Sequence, residues 1–321
     1  MPVLVTGAAG FIGFHVTRAL LARGEAVVGV DCLSDYYDPG LKRARLADLQ
    51  PSPHFAFERL DLADVAACRD LFSRLRPSLV VHLAAQPGVR YSVDHPESYV
   101  QSNLVAFANV LEGCRRAEAR HLVYASSSSV YGDQPEHAIT EDDPVDSPIS
   151  LYAATKRSNE LMARSYAHLY GVPMTGLRFF SVYGPWGRPD MAVYLFTRAI
   201  DEGRPIRVFS GGALTRAFTY IDDAVAAVLR VADHPPAGAP PFALYNVGSD
   251  QAHSVNTLIA LIEEALGKPA LREDAPMQAG DVRATRADMG RLRAALGADA
   301  PTSLQDGVRA FVAWYREYHA R

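Results

Sequence analysis

The stretch Gly7-Ala-Ala-Gly10-Phe-Ile-Gly13 constrains the fold more than any other. It follows a short apolar run, Val3 to Val5, and opens a segment whose apolar residues keep helical spacing to Leu21 and stop near Gly24. The order is strand, glycine turn, helix. Gly7 allows the tight turn, Gly10 lets backbone amides approach a pyrophosphate, and Gly13 lets the helix pack close to the strand. Phe11 and Ile12, inside the motif, join the cofactor contacts at a helix N-terminus that supplies positive potential. The spacing is G-x-x-G-x-x-G rather than G-x-G-x-x-G, and three glycines alone also suit a structural turn.

The elements that follow extend this start. Ala26 to Val30 reads as a strand ending in Asp31, eighteen residues after Gly13. A carboxylate there accepts from ribose hydroxyls and repels a 2'-phosphate, which points to NAD rather than NADP. Lys42, Arg43 and Arg45 then read as the solvated face of a helix. Phe55 to Phe57 is a third strand, with Asp61 and Leu62 placed to meet the adenine; an exposed turn acid is the competing reading of Asp61. Leu79 to Leu83 is a buried strand that runs into Ala84, Ala85 and Gln86, small enough at first for a cofactor to lie across the sheet's carboxyl edge. The loop Pro87 to Pro96, a helix from Glu97 to Arg116 and a strand from Leu122 to Ala125 lead to Ser126-Ser-Ser-Ser129-Val-Tyr-Gly132. Those serines can satisfy a turn or line a sugar site. Ser147-Pro148 reads as a helix start, and Met174 to Phe180 as a further strand.

Regular alternation of strand and helix implies an α/β fold, a Rossmann-type doubly wound parallel sheet. After Phe180 the regularity fails in the cluster Gly184-Pro-Trp-Gly-Arg-Pro189. The chain returns to the sheet through the helix after Thr219 to Asp222 and the strand Ala243 to Val247. The expected division is a cofactor domain over 1–180 with returns near 218–250, and a smaller, discontinuous C-terminal substrate domain from 181–217 and 251–321.

Within the helix after Pro148, Tyr152 and Lys156 are four residues apart and share a face. An ammonium beside a phenol favours the phenolate, and a tyrosine so tuned is a base for a hydroxyl and an acid for the resulting carbonyl. By itself the pair also fits an ordinary polar surface. Composition removes other classes. At 321 residues and 49% hydrophobic the chain can bury a large core, and a formal charge of -4 gives no basic field for nucleic acid or an anionic membrane. Three widely spaced cysteines argue for a reducing compartment and against a disulfide framework, and the ten histidines form no metal-ligand cluster. No basic leader and no run of about 18 apolar residues is present. The expectation is a cytoplasmic protein without a metal.

Taken together, the glycine turn, Asp31, Ser127, Tyr152 and Lys156 resemble the extended short-chain dehydrogenase/reductase family of nucleotide-sugar enzymes. His82-Leu-Ala-Ala-Gln-Pro-Gly-Val-Arg90-Tyr-Ser92, Arg178 to Ala192 and Arg216 to Asp222 look most like the UDP-glucuronate 4-epimerases within it; Ser181 stands where that subgroup favours threonine. The resemblance implies that Tyr152 takes the proton of the sugar's 4-hydroxyl, that Lys156 binds the nicotinamide ribose and holds the phenolate, and that Ser127 bonds the same oxygen. It adds Leu83 and Phe179 to the cofactor contacts, and Pro87, Ser128, Ser129, Ser181 and Val208 to the UDP-sugar contacts, the strand Ile206 to Phe209 bounding the uracil. Arg216 is expected at the diphosphate, a surface pair with Asp222 or Asp223 being the other reading, and Gln278 and Asp281 at the ribose and phosphate. A homodimer joined through Glu97 to Arg116 and Ser150 to Tyr170 is the family's habit.

Related enzymes share the oxidation at C4 and then diverge. Dehydratases of this fold carry an Asp-Glu pair where this chain has Ser128 and Ser129, and uronate decarboxylases carry a Glu where it has Ser129. The sequence thus favours 4-epimerisation of UDP-glucuronate to UDP-galacturonate with the carboxylate retained. An enclosed carboxylate needs a partner, and Arg188 is the first choice because a guanidinium grips it bidentately; a salt bridge to Asp190 is its competitor, and Arg90 a weaker candidate. The alternatives are a UDP-glucose or N-acetylhexosamine 4-epimerase, and a non-catalytic NAD-sensing protein of the same fold.

Overall fold

The structure is a computed structural model that describes residues 1–133, 137–276, 285–297 and 299–320. Its first half runs β1 (Val3–Thr6), α1 (Phe11–Ala22), β2 (Val27–Asp31), α2 (Pro39–Leu49), β3 (Phe55–Arg59), α3 (Val65–Leu75), β4 (Leu79–His82), α4 (Tyr91–Asp94), α5 (Pro96–Tyr99), α6 (Ala106–Ala117), β5 (His121–Ser127), α7 (Leu151–Tyr170) and β6 (Met174–Phe179). Then follow β7 (Ser181–Tyr183), α8 (Ala192–Asp201), β8 (Ile206–Phe209), β9 (Thr215–Tyr220), α9 (Ile221–Asp233), β10 (Phe242–Val247), β11 (Ala252–Ser254), α10 (Val255–Leu266), β12 (Arg272–Ala275), α11 (Gly290–Leu296) and α12 (Leu304–His319).

Seven strands form one parallel sheet in the order β10-β6-β5-β4-β1-β2-β3. β1, β2, β4 and β6 are buried along their whole length, as strands covered on both faces must be. One face is covered by a core that includes Val16, Leu20, Val228 and Val231 of α1 and α9. The other is covered by a core with Leu71, Phe107, Val110 and Ala163 of α3, α6 and α7. Pairing of Thr6 with Val30 and His82, and of Ser127 with Phe179, brings the carboxyl ends of five strands to one edge. A third core, with Tyr194, Ile259 and Phe311, unites α8, α10 and α12 beside β8. Its neighbours are two small sheets, β11-β9-β7 and β12-β8.

Three local readings change. The helix carrying Tyr152 begins at Leu151, not at Pro148: Ser150 is its N-cap and accepts from the Ala153 amide at 3.1 Å. The segment Glu97 to Arg116 is not one regular helix, because Val100–Val105 is a π turn between α5 and α6. The basic residues of α2 are not a solvated face. Only Arg43 is exposed; Lys42 is 6% and Arg45 0% exposed.

Candidate active site

The glycine turn sits at the edge between β1 and α1. A Cβ on Gly7, whose φ is +71°, would stand 2.7 Å from the Ala84 amide nitrogen, and one on Gly13 would stand 2.0 Å from the Gly7 carbonyl oxygen. Only glycines let β1, β4 and α1 converge so closely, and no side chain caps α1 at Gly10. Beside the turn, Asp31 accepts from the Ala9 amide at 3.2 Å and the Leu33 amide at 2.8 Å. Each carboxylate oxygen keeps a further lone pair. Phe11 is buried and Ile12 half-buried; Leu83, Ala84 and Ala85 are half-buried along the next strand end. This open, small-residue cradle under a helix N-terminus with an acid at the second strand's end fits a dinucleotide with free ribose hydroxyls. At the adenine end Leu62 is buried, whereas Asp61 is exposed and accepts from the Ala63 amide at 2.9 Å, the bond of an acidic turn residue.

Gln86 is pinned rather than free. Its amide donates to Asn103 Oδ1 at 2.8 Å, and Asn103 Nδ2 donates to the Gln86 carbonyl and to Thr155 Oγ1, both at 3.1 Å. Asn103 lies in the π turn, so that irregularity joins the strand end to the helix of Tyr152. Pro87 accepts from the Tyr99 hydroxyl at 2.8 Å, and the Tyr99 ring lies edge-on to Tyr152 with centroids 6.0 Å apart.

At the centre, Ser127 closes β5 and caps the following turn. Its Oγ accepts from the Ser129 amide at 3.2 Å and donates to Ser129 Oγ at 3.1 Å. Ser128 and Ser129 are half-buried, while Ser126 turns into the interior and donates to Glu160 at 2.6 Å. Burial raises the Tyr152 phenol above its ordinary pKa; a hydrogen bond with Ser127 and the charge of Arg188 act in the opposite sense. Lys156, four residues further along α7, is buried. Lys156 Nζ donates to the Ala125 carbonyl at 2.9 Å, and burial lowers its pKa to about 8. Arg188 is a cation whose charge acts on Tyr152.

Arg188 itself forms the ion pair that competed with its functional reading: Nε donates to Asp190 Oδ1 at 3.0 Å and Nη2 to Oδ2 at 2.5 Å. Tyr36, which the sequence did not single out, donates to the same Oδ2 at 3.0 Å. Elsewhere, Ser181 is half-buried at the start of β7 and Phe179 is buried at the end of β6. Val208 is 2% exposed within the third core, its neighbour Arg207 is exposed, and the half-buried Phe209 ring lies 5.7 Å beneath the exposed Arg90 guanidinium. Arg216 Nη1 donates to the Thr215 carbonyl at 2.8 Å, while Asp223 accepts from Thr302. Gln278 and Asp281 lie outside the described residues.

A doubly wound parallel sheet with this glycine cradle and a Ser-Tyr-Lys set at its edge defines an extended short-chain dehydrogenase/reductase. The chain belongs to the NAD dependent epimerase/dehydratase family, whose model matches residues 3–248. It is 45% identical over 336 residues to a probable UDP-glucuronate 4-epimerase of Rhizobium meliloti (strain 1021), covering 100% of this chain and 98% of that one. A solved UDP-glucuronic acid 4-epimerase from Bacillus cereus, in complex with UDP-glucuronic acid and NAD, superposes with a TM-score of 0.93 at 32% identity, covering 99% of this chain and 100% of that one. The UDP-glucose 4-epimerase of Thermus thermophilus, in complex with NAD, superposes with a TM-score of 0.89 at 31% identity, covering 98% of this chain and 99% of that one. The fold alone therefore serves more than one sugar.

Proposed function

We propose that the protein is an NAD-dependent epimerase that interconverts UDP-glucuronate and UDP-galacturonate at C4 and retains the carboxylate. The observation that carries the choice of sugar is the position of Arg188, close enough to Tyr152 for each charge to act on the other. A sugar that presents its C4 oxygen to Tyr152 has its C5 substituent one carbon away, where a guanidinium recognises a carboxylate and has no counterpart on a neutral sugar.

The residues divide the work as follows. The cradle of Gly7, Gly10 and Gly13, with Asp31, Ala84 and Lys156, would hold NAD, which when bound supplies a reversible acceptor for the C4 hydrogen and its electron pair. Tyr152 removes the 4-hydroxyl proton as the carbonyl forms and returns it to the same oxygen when the other face of C4 is presented, so no net proton is consumed. Ser127 donates to that oxygen where charge develops. Ser128 and Ser129 offer donors but no second acid and base, which disfavours elimination of water. A 4-keto uronate is a β-keto acid that loses carbon dioxide when its C5–C6 bond aligns with the carbonyl π system. Hydrogen bonds from Arg188 and the serines that hold this bond nearer the carbonyl plane suppress the loss.

In this reading 1–180 and the returns near 218–250 hold the cofactor, and 181–217 with 251–321 hold the UDP-sugar. A cytoplasmic homodimer is part of it: Leu161 and Leu169 of α7 are 53% and 63% exposed, an apolar surface that a second copy would cover. No helix among the described residues is long and apolar enough to cross a membrane. A UDP-glucose epimerase is the second reading, favoured by the Asp190 carboxylate already neutralising Arg188. Proton NMR of the protein with UDP-glucuronate or with UDP-glucose decides between them. UDP-galacturonate without UDP-pentose is expected; turnover of UDP-glucose alone, or UDP-pentose as the only product, would reject the proposal.

A further inference from the structure

The turn that carries Arg188 is fastened to the cofactor cradle by two side chains with no place in the reaction. His15 stands in α1 two residues beyond Gly13, and its Nε2 donates to the Pro185 carbonyl at 2.9 Å. A carbonyl only accepts, so the ring proton is on Nε2, and Nδ1 accepts from Arg18 Nη2 at 3.4 Å. Burial lowers the ring's pKa to about 3, so it remains this neutral donor across the working range. Arg45, fully buried, reaches from α2 to both sides. Its Nη1 donates to the Ala9 carbonyl inside the glycine turn and to the Tyr37 hydroxyl, both at 2.8 Å, and its Nη2 donates to the Trp186 carbonyl at 2.6 Å.

No carboxylate among the described residues pairs with Arg45, and keeping such a charge in the interior is costly unless its donors are used. The acceptors it has found are the Tyr37 hydroxyl, the backbone of the glycine turn and the backbone of the turn two residues before Arg188, while its Nε has no hydrogen-bond partner among the described residues. That second turn is irregular: Trp186 has φ +62°, in the left-handed region. Its ring packs on Phe14 of α1 at 5.3 Å between centroids, so the contact to α1 is both polar and aromatic. Two consecutive carbonyls, of Pro185 and Trp186, are thus held from the cofactor side.

We propose that His15 and Arg45 are positioning residues that lock the Pro185 and Trp186 carbonyls to the glycine turn and thereby set the Arg188 guanidinium for a carboxylate beside the reacting sugar carbon. The proposal rests on the reading of Arg188 as the carboxylate's ligand. It makes discrimination for an acidic sugar depend on residues of α1 and α2 that touch no sugar.

The test is steady-state kinetics with UDP-glucuronate, using UDP-glucose as competitive inhibitor, on the parent, His15→Leu, His15→Gln and Arg45→Lys, with bound NAD and melting temperature recorded for each. His15→Leu removes the donor and is expected to raise KM for UDP-glucuronate about tenfold while the Ki of UDP-glucose stays within about twofold. His15→Gln, which carries an N–H near the position of Nε2, recovers most of the loss. Arg45→Lys keeps the charge but cannot bond both turns, so KM rises in the same selective way and less NAD is retained. If His15→Leu does not fold, Arg45→Lys decides alone. Parallel rises in KM and Ki, or an unchanged KM in a folded variant, overturn the proposal. A parent that fails to prefer UDP-glucuronate over UDP-glucose overturns the reading of Arg188 instead.

Discussion

Arg188 holds the Asp190 carboxylate with Nε and Nη2 and leaves Nη1 without a partner among the described residues. The two readings of this arginine, loop ion pair and substrate ligand, are therefore compatible. Asp190, itself steadied by Tyr36 at 3.0 Å, fixes the plane of the guanidinium, and the remaining edge is offered to the site.

From that arrangement Arg188→Ala is expected to lower kcat/KM for UDP-glucuronate by about 10–100-fold, the equivalent of roughly 1.5–3 kcal/mol for a hydrogen bond to a charged group. The Ki of UDP-glucose should change little. Arg188→Lys should not rescue it, because an ammonium cannot grip Asp190 and present a second planar edge at once. Kinetics with both nucleotide sugars check this, and equal losses for the two would refute carboxylate recognition.

The pH dependence follows from the groups around Tyr152. A base must be ionised, so kcat/KM should rise with pH through the phenol's pKa. The Arg188 charge lowers that pKa against the effect of burial. Removing the charge in Arg188→Ala should therefore move the rising limb to higher pH. Tyr152→Phe should cost about 10²–10⁴ in kcat with UDP-glucuronate binding nearly unchanged. A limb that stays in place in Arg188→Ala would show that another group sets the phenol's ionisation.

Much of this site was legible because its signals are local. The glycine spacing, the acid at Asp31 and the four-residue interval from Tyr152 to Lys156 each follow from backbone geometry that a short window contains. What was misread depends on contacts across the fold. Arg45 has the sequence of a solvated helix residue, yet its partners Ala9 and Trp186 lie 36 and 141 residues away. Asn103 follows Gln101 and Ser102 in a polar run that gives no local sign of its role, and the π turn that makes it useful is a tertiary adjustment.

Behind the reacting edge, Glu160 and Arg178 form a buried pair, with Nε to Oε1 at 2.8 Å and Nη2 to Oε2 at 2.9 Å, and 1% and 2% side-chain exposure. Glu160 also takes the Ser126 hydroxyl, so the pair ties α7 to β5 next to Ser127. Removing one partner strands the other charge in the core. Arg178→Met is expected to destabilise the protein by about 3–5 kcal/mol in chemical denaturation. A loss under about 1 kcal/mol would mean that Arg157, 3.2 Å from Glu160, suffices as counter-ion.

Lys156 gives the prediction in which function and stability oppose each other. Burial depresses its pKa to about 8 from the ordinary 10.5, and its one bond among the described residues goes to the neutral Ala125 carbonyl. Below pH 8 the lysine is charged in both folded and unfolded chains, and the folded chain carries the full cost of burying the charge. Between the two pKa values the unfolded chain binds more protons, so this group's contribution to stability rises with pH. Lys156→Met keeps the length and removes the charge. It forfeits one hydrogen bond, about 1 kcal/mol, and escapes a larger desolvation cost. The variant should thus melt a few degrees higher than the parent at about pH 7, with the gap closing toward about pH 10, while epimerisation is lost. Melting curves of the two proteins across that range test the sign: a gap that widens with pH would show that Lys156 is stabilised, not strained, by its burial.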